Sequence, residues 1–260
     1  MRVAVISDIH SNLAALEAVL ADADRRGVDE VWCVGDIVGY GPEPSACLAI
    51  VRDRASVCIA GNHDLGVAGQ TARGSTGSPR TEGGGEHATV DLAWFNEYAL
   101  AAIRWTARTM SPEEKRYLGS LPPVLAHGRY TLAHGSPREP VWEYVVTSQV
   151  ARVSFDAFEG DVCFVGHSHI PFVCREAESP RLQHANDGVD TPLGATRWIV
   201  NPGSVGQPRD GDPRASYAIL DTDRGVLTHH RVAYDIAKTQ ARMREARLPS
   251  MLIERLSVGE

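Results

Sequence analysis

The chain is short of thiols, of basic charge and of long apolar runs, and each shortage argues against a class of protein. Cys33, Cys47, Cys58, Cys163 and Cys174 are odd in number, widely spaced and mostly set in apolar runs. That pattern suits reduced core cysteines better than a disulfide framework or a zinc ribbon. Lysine and arginine total 26 against 33 acidic residues, a formal charge of −7. Neutralising a nucleic-acid backbone needs a basic patch, so no nucleic-acid polymer is expected as a partner, while a small anionic substrate remains open. No apolar run approaches the ~20 residues of a membrane span. Met1 and the single Arg2 lead into "VAVI", with no long h-region or cleavage site, so a cytoplasmic protein without a membrane partner is expected. Neither a Gly-x-Ser-x-Gly elbow nor a P-loop string occurs, which leaves serine acyl chemistry and P-loop nucleotide hydrolysis without a foothold.

What is present is a chain of 260 residues, 43 % of them hydrophobic, enough to bury one large α/β core. We read residues 1–260 as a single domain. Arg2–Ser7 has the pattern of a buried strand. Ser11–Arg25 has that of an amphipathic helix, with Leu13, Leu16, Ala18, Val19 and Leu20 on its apolar side and Ser11 as its cap. "DEVWCVG", Pro44–Arg52 and "SVCIAG" continue as strand, helix and strand. This βαβαβ order with short connections predicts a parallel sheet with right-handed crossovers. Residues 66–86 are dominated by glycine, serine and threonine and read as a long mobile loop bordering the cleft. Helical pattern returns over about 86–109 and after Ser111-Pro112-Glu113, so residues 66–120 form a loop and helical insertion. From Pro123 the rhythm is β-like. "VLAHG" and "YTLAHG" flank a Gly-Arg turn, "DVCFVG" is another apolar strand, and 172–176, 181–185, 196–200, 215–220 and 226–232 alternate. Asp235–Arg247 and Pro249–Leu256 carry helical periodicity, making 235–260 a pair of C-terminal helices.

The residues that bear chemistry fall where the strands stop. Ser7-Asp8-Ile9-His10 follows the first, Gly35-Asp36 the second and Gly61-Asn62-His63-Asp64 the third, while His134-Gly135 and Gly166-His167-Ser168-His169 follow later ones. In open α/β sheets, ligands bind in the crevice at the carboxyl ends of the strands. Singly, each turn has a plain explanation: Asp after a strand is commonly a turn former, and Gly and Asn tolerate left-handed backbone. Jointly that explanation fails, because five independent turns should not all choose metal-ligand chemistry at one sheet edge. Carboxylate, imidazole and amide ligands without thiolate suit Mn²⁺, Fe²⁺, Zn²⁺, Co²⁺ or Ni²⁺ and not a structural zinc cage. Asp8, His10, Asp36, Asn62, His134, His167 and His169 are too many for one tetrahedral ion and suit two ions sharing a carboxylate. His167 and His169, on one turn, would each reach a different ion.

The ordered set Asp-x-His, Gly-Asp, Gly-Asn-His-Asp, His-Gly and Gly-His-Ser-His, spanning residues 8–169, resembles the calcineurin-like metallophosphoesterase superfamily. Asn201–Ser204 and Gly206–Arg209 extend the likeness to its small prokaryotic phosphodiesterase-type branch. The resemblance implies a four-layer α/β/β/α sandwich with mixed sheets and a helical insertion. It also implies two divalent metal ions, manganese first, with Fe, Zn, Ni or Co as alternatives. One would be held by Asp8, His10, Asp36 and His169, the second by Asp36, Asn62, His134 and His167, with Asp36 bridging. His63 becomes the general acid for the leaving oxygen or a charge stabiliser, and Asp64 the carboxylate that orients its imidazole. Coordination lowers the pKa of a water from ~15.7 towards ~7, and the resulting bridging hydroxide would attack phosphorus in line. The ions, with Asn62 and His63, would meet the charge that builds on the equatorial oxygens. His127, at the opposite end of its hairpin from His134, is assigned to structure, and histidines 87, 184, 229 and 230 match no motif.

Substrate class rests on one further string. In the protein-phosphatase and symmetrical dinucleoside-tetraphosphatase branches, Val-Asp-Arg-Gly stands near the bridging Asp and its arginine grips phosphate. Here the chain reads Val38-Gly39-Tyr40-Gly41, which favours a phosphodiesterase acting on a small phosphate ester over a protein phosphatase. Tyr40, bordering the leaving group, and Arg209, as a replacement clamp, are the candidate substrate contacts. Their plain alternatives are packing under the 66–86 loop and a solvated loop arginine. The alternative functions are a phosphomonoesterase, a nucleotide or dinucleoside polyphosphate hydrolase, or a noncatalytic protein-interaction scaffold. Scaffold use accompanies loss of motif histidines, and all of them are present here.

Overall fold

A computed structural model of the chain describes residues 1–69 and 90–260. Most of the 66–86 segment, and with it the expected mobile loop, lies outside the described residues.

Alternation along β1 (Arg2–Ile6) sets the architecture. Val3 and Val5 enter a core shared with Trp32, Val57, Phe164 and Leu220, whereas Ala4 and Ile6 enter another with Leu16, Val19 and Leu48. A strand whose successive side chains are buried on opposite faces is central to a layered sandwich. Through α1 (Leu13–Arg25) and α2 (Pro44–Arg54), β1 connects to β2 (Glu30–Cys33) and β2 to β3 (Ala55–Cys58). All three pair in parallel, as the βαβαβ order predicts. At α1 the cap lies one residue later than expected. Asn12 Oδ1 accepts from the Ala15 amide, while Ser11 is held in left-handed backbone at φ 56°.

After α3 (Asn62–Ala68) come α4 (Glu97–Thr109) and α5 (Pro112–Ser120). The first of these begins later than its periodicity suggests, at the Asn96 cap, whose Oδ1 accepts from the Ala99 amide at 2.9 Å. Ser111 and Glu114 close a capping box at the start of α5, each side chain accepting from the other's backbone N–H.

The remaining strands are β4 (Val124–His127), β5 (Tyr130–Ala133), β6 (Val162–Val165), β7 (Phe172–Arg175), β8 (Leu182–His184), β9 (Asp190–Pro192), β10 (Trp198–Asn201), β11 (Ala215–Asp221) and β12 (Val226–Val232). They divide between two six-stranded mixed sheets, ordered β3-β2-β1-β11-β12-β9 and β4-β5-β6-β10-β7-β8. Leu132, Phe164 and Val200 of the second sheet face the first. Cys163, Val165 and Ile199 point outward against Ala151 and Phe155, on and just after α6 (Ser148–Ser154). Helices on both outer faces complete the four-layer α/β/β/α sandwich. At one end, α7 (Ile236–Glu245) and α8 (Ser250–Glu254) bring Met243, Leu252 and Ile253 against Ala99 and Ala102 of α4 and against Tyr40. All five cysteines are free. Among the described residues no helix is long and apolar enough to cross a membrane.

Candidate metal centre

Strands β1, β2, β3, β5 and β6 each end in a turn at the same edge of the sandwich, and those turns require unusual backbone. Among the described residues seven non-glycine positions have positive φ, and five of them are Asp8, His10, Asp36, His167 and His169. Left-handed backbone at non-glycine residues costs of order 1–3 kcal/mol each and clusters where surrounding structure enforces it for function. Gly61 lets two turns meet, since a Cβ there would run into Asp36 Oδ1.

Three imidazoles are anchored through Nδ1 to backbone carbonyls: His10 to Val38 at 3.2 Å, His134 to Val34 at 2.9 Å and His169 to Gln207 at 2.6 Å. A carbonyl only accepts, so Nδ1 is the donor in each and Nε2 is turned inward. There it meets other acceptors. His10 Nε2 and His169 Nε2 stand 3.0 Å apart, and His134 Nε2 lies 3.1 Å from Asn62 Oδ1 and 3.3 Å from Asp36 Oδ2. His169 Nε2 is 3.3 Å from Asp8 Oδ1. The His10 and His169 Nε2 lone pairs repel at 3.0 Å unless a cation sits between them. Two nitrogens each about 2.1 Å from a shared ion and at right angles stand roughly 3.0 Å apart, which matches the His10–His169 spacing. His167 Nε2 is buried without a hydrogen-bond partner, while the His167 backbone N–H donates to both Asp8 oxygens at 3.2 Å.

Protonation follows the same logic. Burial, reinforced by the charge of neighbouring groups, holds His10 and His167 well below the ordinary histidine value and His169 below it. All three imidazoles are therefore uncharged at neutral pH, the form that can bind a metal. A proton is the smallest cation that can meet the acceptors, and His134 holds one. Burial lowers its pKa, but Asp36 and Asp8 outweigh burial and lift it to about 10. For the carboxylates, burial pushes upward and is outweighed, by His169 and His134 at Asp8, which falls to about 2, and by His134 and His63 at Asp36.

Among the described residues, three groupings bring atoms able to ligate a metal within 4.8 Å of one another: Asp8, His10 and His169; Asp36, His134 and His167; and His10, Asp36 and His63. The first two lie within the two expected ligand sets, with Asn62 beside His134. The third sets His63 within reach of the same centre. His63 is packed between the rings of Tyr40 at 4.4 Å and Phe95 at 5.1 Å, and its Nδ1 has no hydrogen-bond partner among the described residues.

Asp64 does not orient that imidazole, contrary to expectation. Its carboxylate accepts from the Val38 amide at 3.1 Å and the Gly61 amide at 3.0 Å, bracing the two turns against each other. Burial and the nearby Asp36 raise it to about 7. Tyr40 borders the cleft but is itself buried, between His10 and His63 and under the C-terminal helices. Arg209 is half-buried on the cleft wall, bonded to Gln207 Oε1 at 2.8 Å with its Cζ 5.7 Å from the Tyr40 ring centroid. His127 lies exposed, edge-on to Trp32 at the far end of its hairpin. Sequence reasoning missed Trp94, Phe95, Trp142 and Tyr144, which also line the cleft, and the carbonyls that aim the histidines. No short motif marks any of them.

With the site described, its relatives can be placed. Residues 1–225 match the calcineurin-like phosphoesterase superfamily domain, and the chain belongs to that superfamily. An uncharacterized protein of Methanocaldococcus jannaschii is 40 % identical over 263 residues, covering 99 % of this chain and 98 % of its own. The crystal structure of a metallophosphoesterase from Sphaerobacter thermophilus is similar at a TM-score of 0.84 and 46 % identity, covering 100 % of this chain and 99 % of that one. A symmetrical bis(5′-nucleosyl)-tetraphosphatase of Thioalkalivibrio sulfidiphilus is 35 % identical over 68 residues, 25 % of each chain. Membership supports phosphoric ester hydrolysis as the class of activity, and the His/Asp groupings fit the divalent metals that the family generally binds.

Proposed function

We propose that the protein is a dinuclear metal-dependent phosphodiesterase that hydrolyses a small phosphate ester. The observation that carries this reading is the pair of buried groupings that flank the metal-bridging candidate Asp36, with His10 and His169 Nε2 3.0 Å apart beside Asp8 on one side and His134 and His167 on the other. Asp8, His10, Asp36 and His169 would hold one ion, and Asp36, Asn62, His134 and His167 the second; manganese is the first candidate. A bound pair of divalent ions supplies charge to polarise the phosphoryl oxygens and hydroxide at neutral pH.

The rest is done by the chain. His63 faces the cleft from the start of α3. Burial, the largest influence, holds its pKa at about 4, so its imidazole rests uncharged. The negative charge of a bound ester draws its pKa upward, so the ring takes up a proton from solvent, and the imidazolium gives that proton to the leaving oxygen. Arg209 contributes to lowering His10, His63, His167 and His169, behind burial in every case. A cation so placed is the phosphate clamp that Val38-Gly39-Tyr40-Gly41 lacks. The partial match to a tetraphosphatase keeps dinucleoside polyphosphate hydrolysis as the second reading.

Reconstitution with Mn²⁺, Zn²⁺ or Ni²⁺ and assay on bis-p-nitrophenyl phosphate against p-nitrophenyl phosphate tests the proposal. The diester should turn over faster, and Asp36→Ala should abolish turnover. Preference for the monoester would make the protein a phosphomonoesterase, and inactivity with every metal would favour the scaffold reading.

A further inference from the structure

We propose that the mouth of the metal cleft is a stacking site for a nucleobase, so that the ester hydrolysed belongs to a nucleoside. This rests on the phosphoester reading and narrows its substrate class. Two segments wall the cleft: Trp94, Phe95 and Asn96 ahead of α4, and Trp142 and Tyr144 beyond β5. Phe95 meets His63 edge-on at 5.1 Å and Trp142 at 4.9 Å, while Tyr144 lies flat on His167, 3.9 Å away and tilted by 20°. One aromatic wall therefore touches the imidazole assigned to the leaving oxygen, and the other touches an assigned metal ligand. The walls also meet each other, with Trp94 and Trp142 at 6.5 Å.

The outermost rings stay in water. Trp94 is 51 % exposed and Tyr144 45 %, although both line the cleft. Large apolar faces kept exposed beside convergent polar groups mark a ligand site. Polar groups complete the wall. Asn96 commits its Oδ1 to the Ala99 amide, which leaves its amino group for an acceptor, and Arg209 adds a cation. A flat π-system bearing acceptor nitrogens and tethered to phosphate satisfies rings, amide and cation together. An alkyl ester would leave Trp94 and Tyr144 uncovered.

The test is calorimetric titration of the Mn²⁺-loaded protein with AMP, the monoester that cleavage of a nucleoside diester leaves, and with ribose 5-phosphate, which lacks only the base. Stacking one base is worth about ten- to a hundredfold in affinity, so AMP should bind more tightly by that factor. Trp94→Ala and Tyr144→Ala should each remove much of the difference, and Trp94→Phe should retain it. Both positions are half exposed, so the alanine variants should keep the wild-type circular dichroism. Equal affinity for the two ligands, or a base preference that survives both alanine substitutions, overturns the proposal. The phosphoester reading fails separately, on the absence of diester hydrolysis in the same preparation.

Discussion

Replacing His63 by alanine separates chemistry from ligation. The ring is 3 % exposed and wedged among Tyr40, His10 and Phe95. What His63 gives the metal centre in this structure is its backbone N–H, which donates to Asp36 Oδ1 at 2.8 Å, and alanine preserves that bond. Metal content should therefore stay at the wild-type level while the rate falls by the ~10²–10⁴-fold of a lost general acid, about 3–5 kcal/mol of transition-state stabilisation. A leaving-group series sharpens the expectation, because p-nitrophenolate departs without a proton and an alkoxide does not. In kcat/KM the defect should be small for p-nitrophenyl diesters and full for alkyl or nucleoside esters, with metal counted in the same samples. His63 lies within ligand reach of His10 and Asp36, so loss of an ion in the variant would transfer it to the ligand set and refute this division of labour. A defect equal across leaving groups would make it a charge stabiliser instead.

Three other perturbations have defined outcomes. Each ion present at a hundred times its Kd adds about 2.7 kcal/mol, two add about 5.4 kcal/mol, and the unfolding entropy of 260 residues is about 0.55 kcal/mol per kelvin, so chelation of both should lower Tm by about 10 °C in a calorimetric scan. An unchanged Tm would contradict binding by the folded chain. Gly61→Ala places a methyl against Asp36 Oδ1 and should cut both activity and metal affinity at least tenfold; wild-type metal content would refute the close approach. His229 is held at about 4, chiefly by burial, against an ordinary 6.5. Its folded pKa is depressed, so its contribution is intact above pH 6.5 and is lost as pH falls towards 4, amounting to about 2 kcal/mol by pH 5. His229→Gln should flatten the fall in denaturation midpoint between pH 7 and 5 by that amount, and an unaltered slope would contradict it.

How much could be read beforehand varied with the kind of signal. Alternation in "VAVI" and the spacing of the next two strands specify the parallel β1-β2-β3 core, and Ser111 to Glu114 specifies a helix start, because these depend on residues close in sequence. Alternation does not say which sheet a strand joins, so the return of β11 and β12 to the first sheet and the three-residue β9 escaped notice. The ligand residues were legible because each sits beside a strand end. Asp64 was misjudged for a local reason: an acid in the first turn of α3 points back to the Gly61 amide that precedes the helix, as in a capping box. Tyr40 packs under C-terminal helices whose buried residues, Met243 onward, lie about 200 or more positions away, and Trp142 and Tyr144 reach His167 from a loop with no periodic pattern. Contacts of that range leave no trace in spacing.

Counting metal ions in the reconstituted protein by mass spectrometry tests the shared-carboxylate centre most directly. Two ions per chain are expected in the wild type, with one retained in His167→Ala, one in His169→Ala and neither held tightly in Asp36→Ala. A wild-type protein that saturates at a single ion, or histidine variants that lose both ions together, would contradict it.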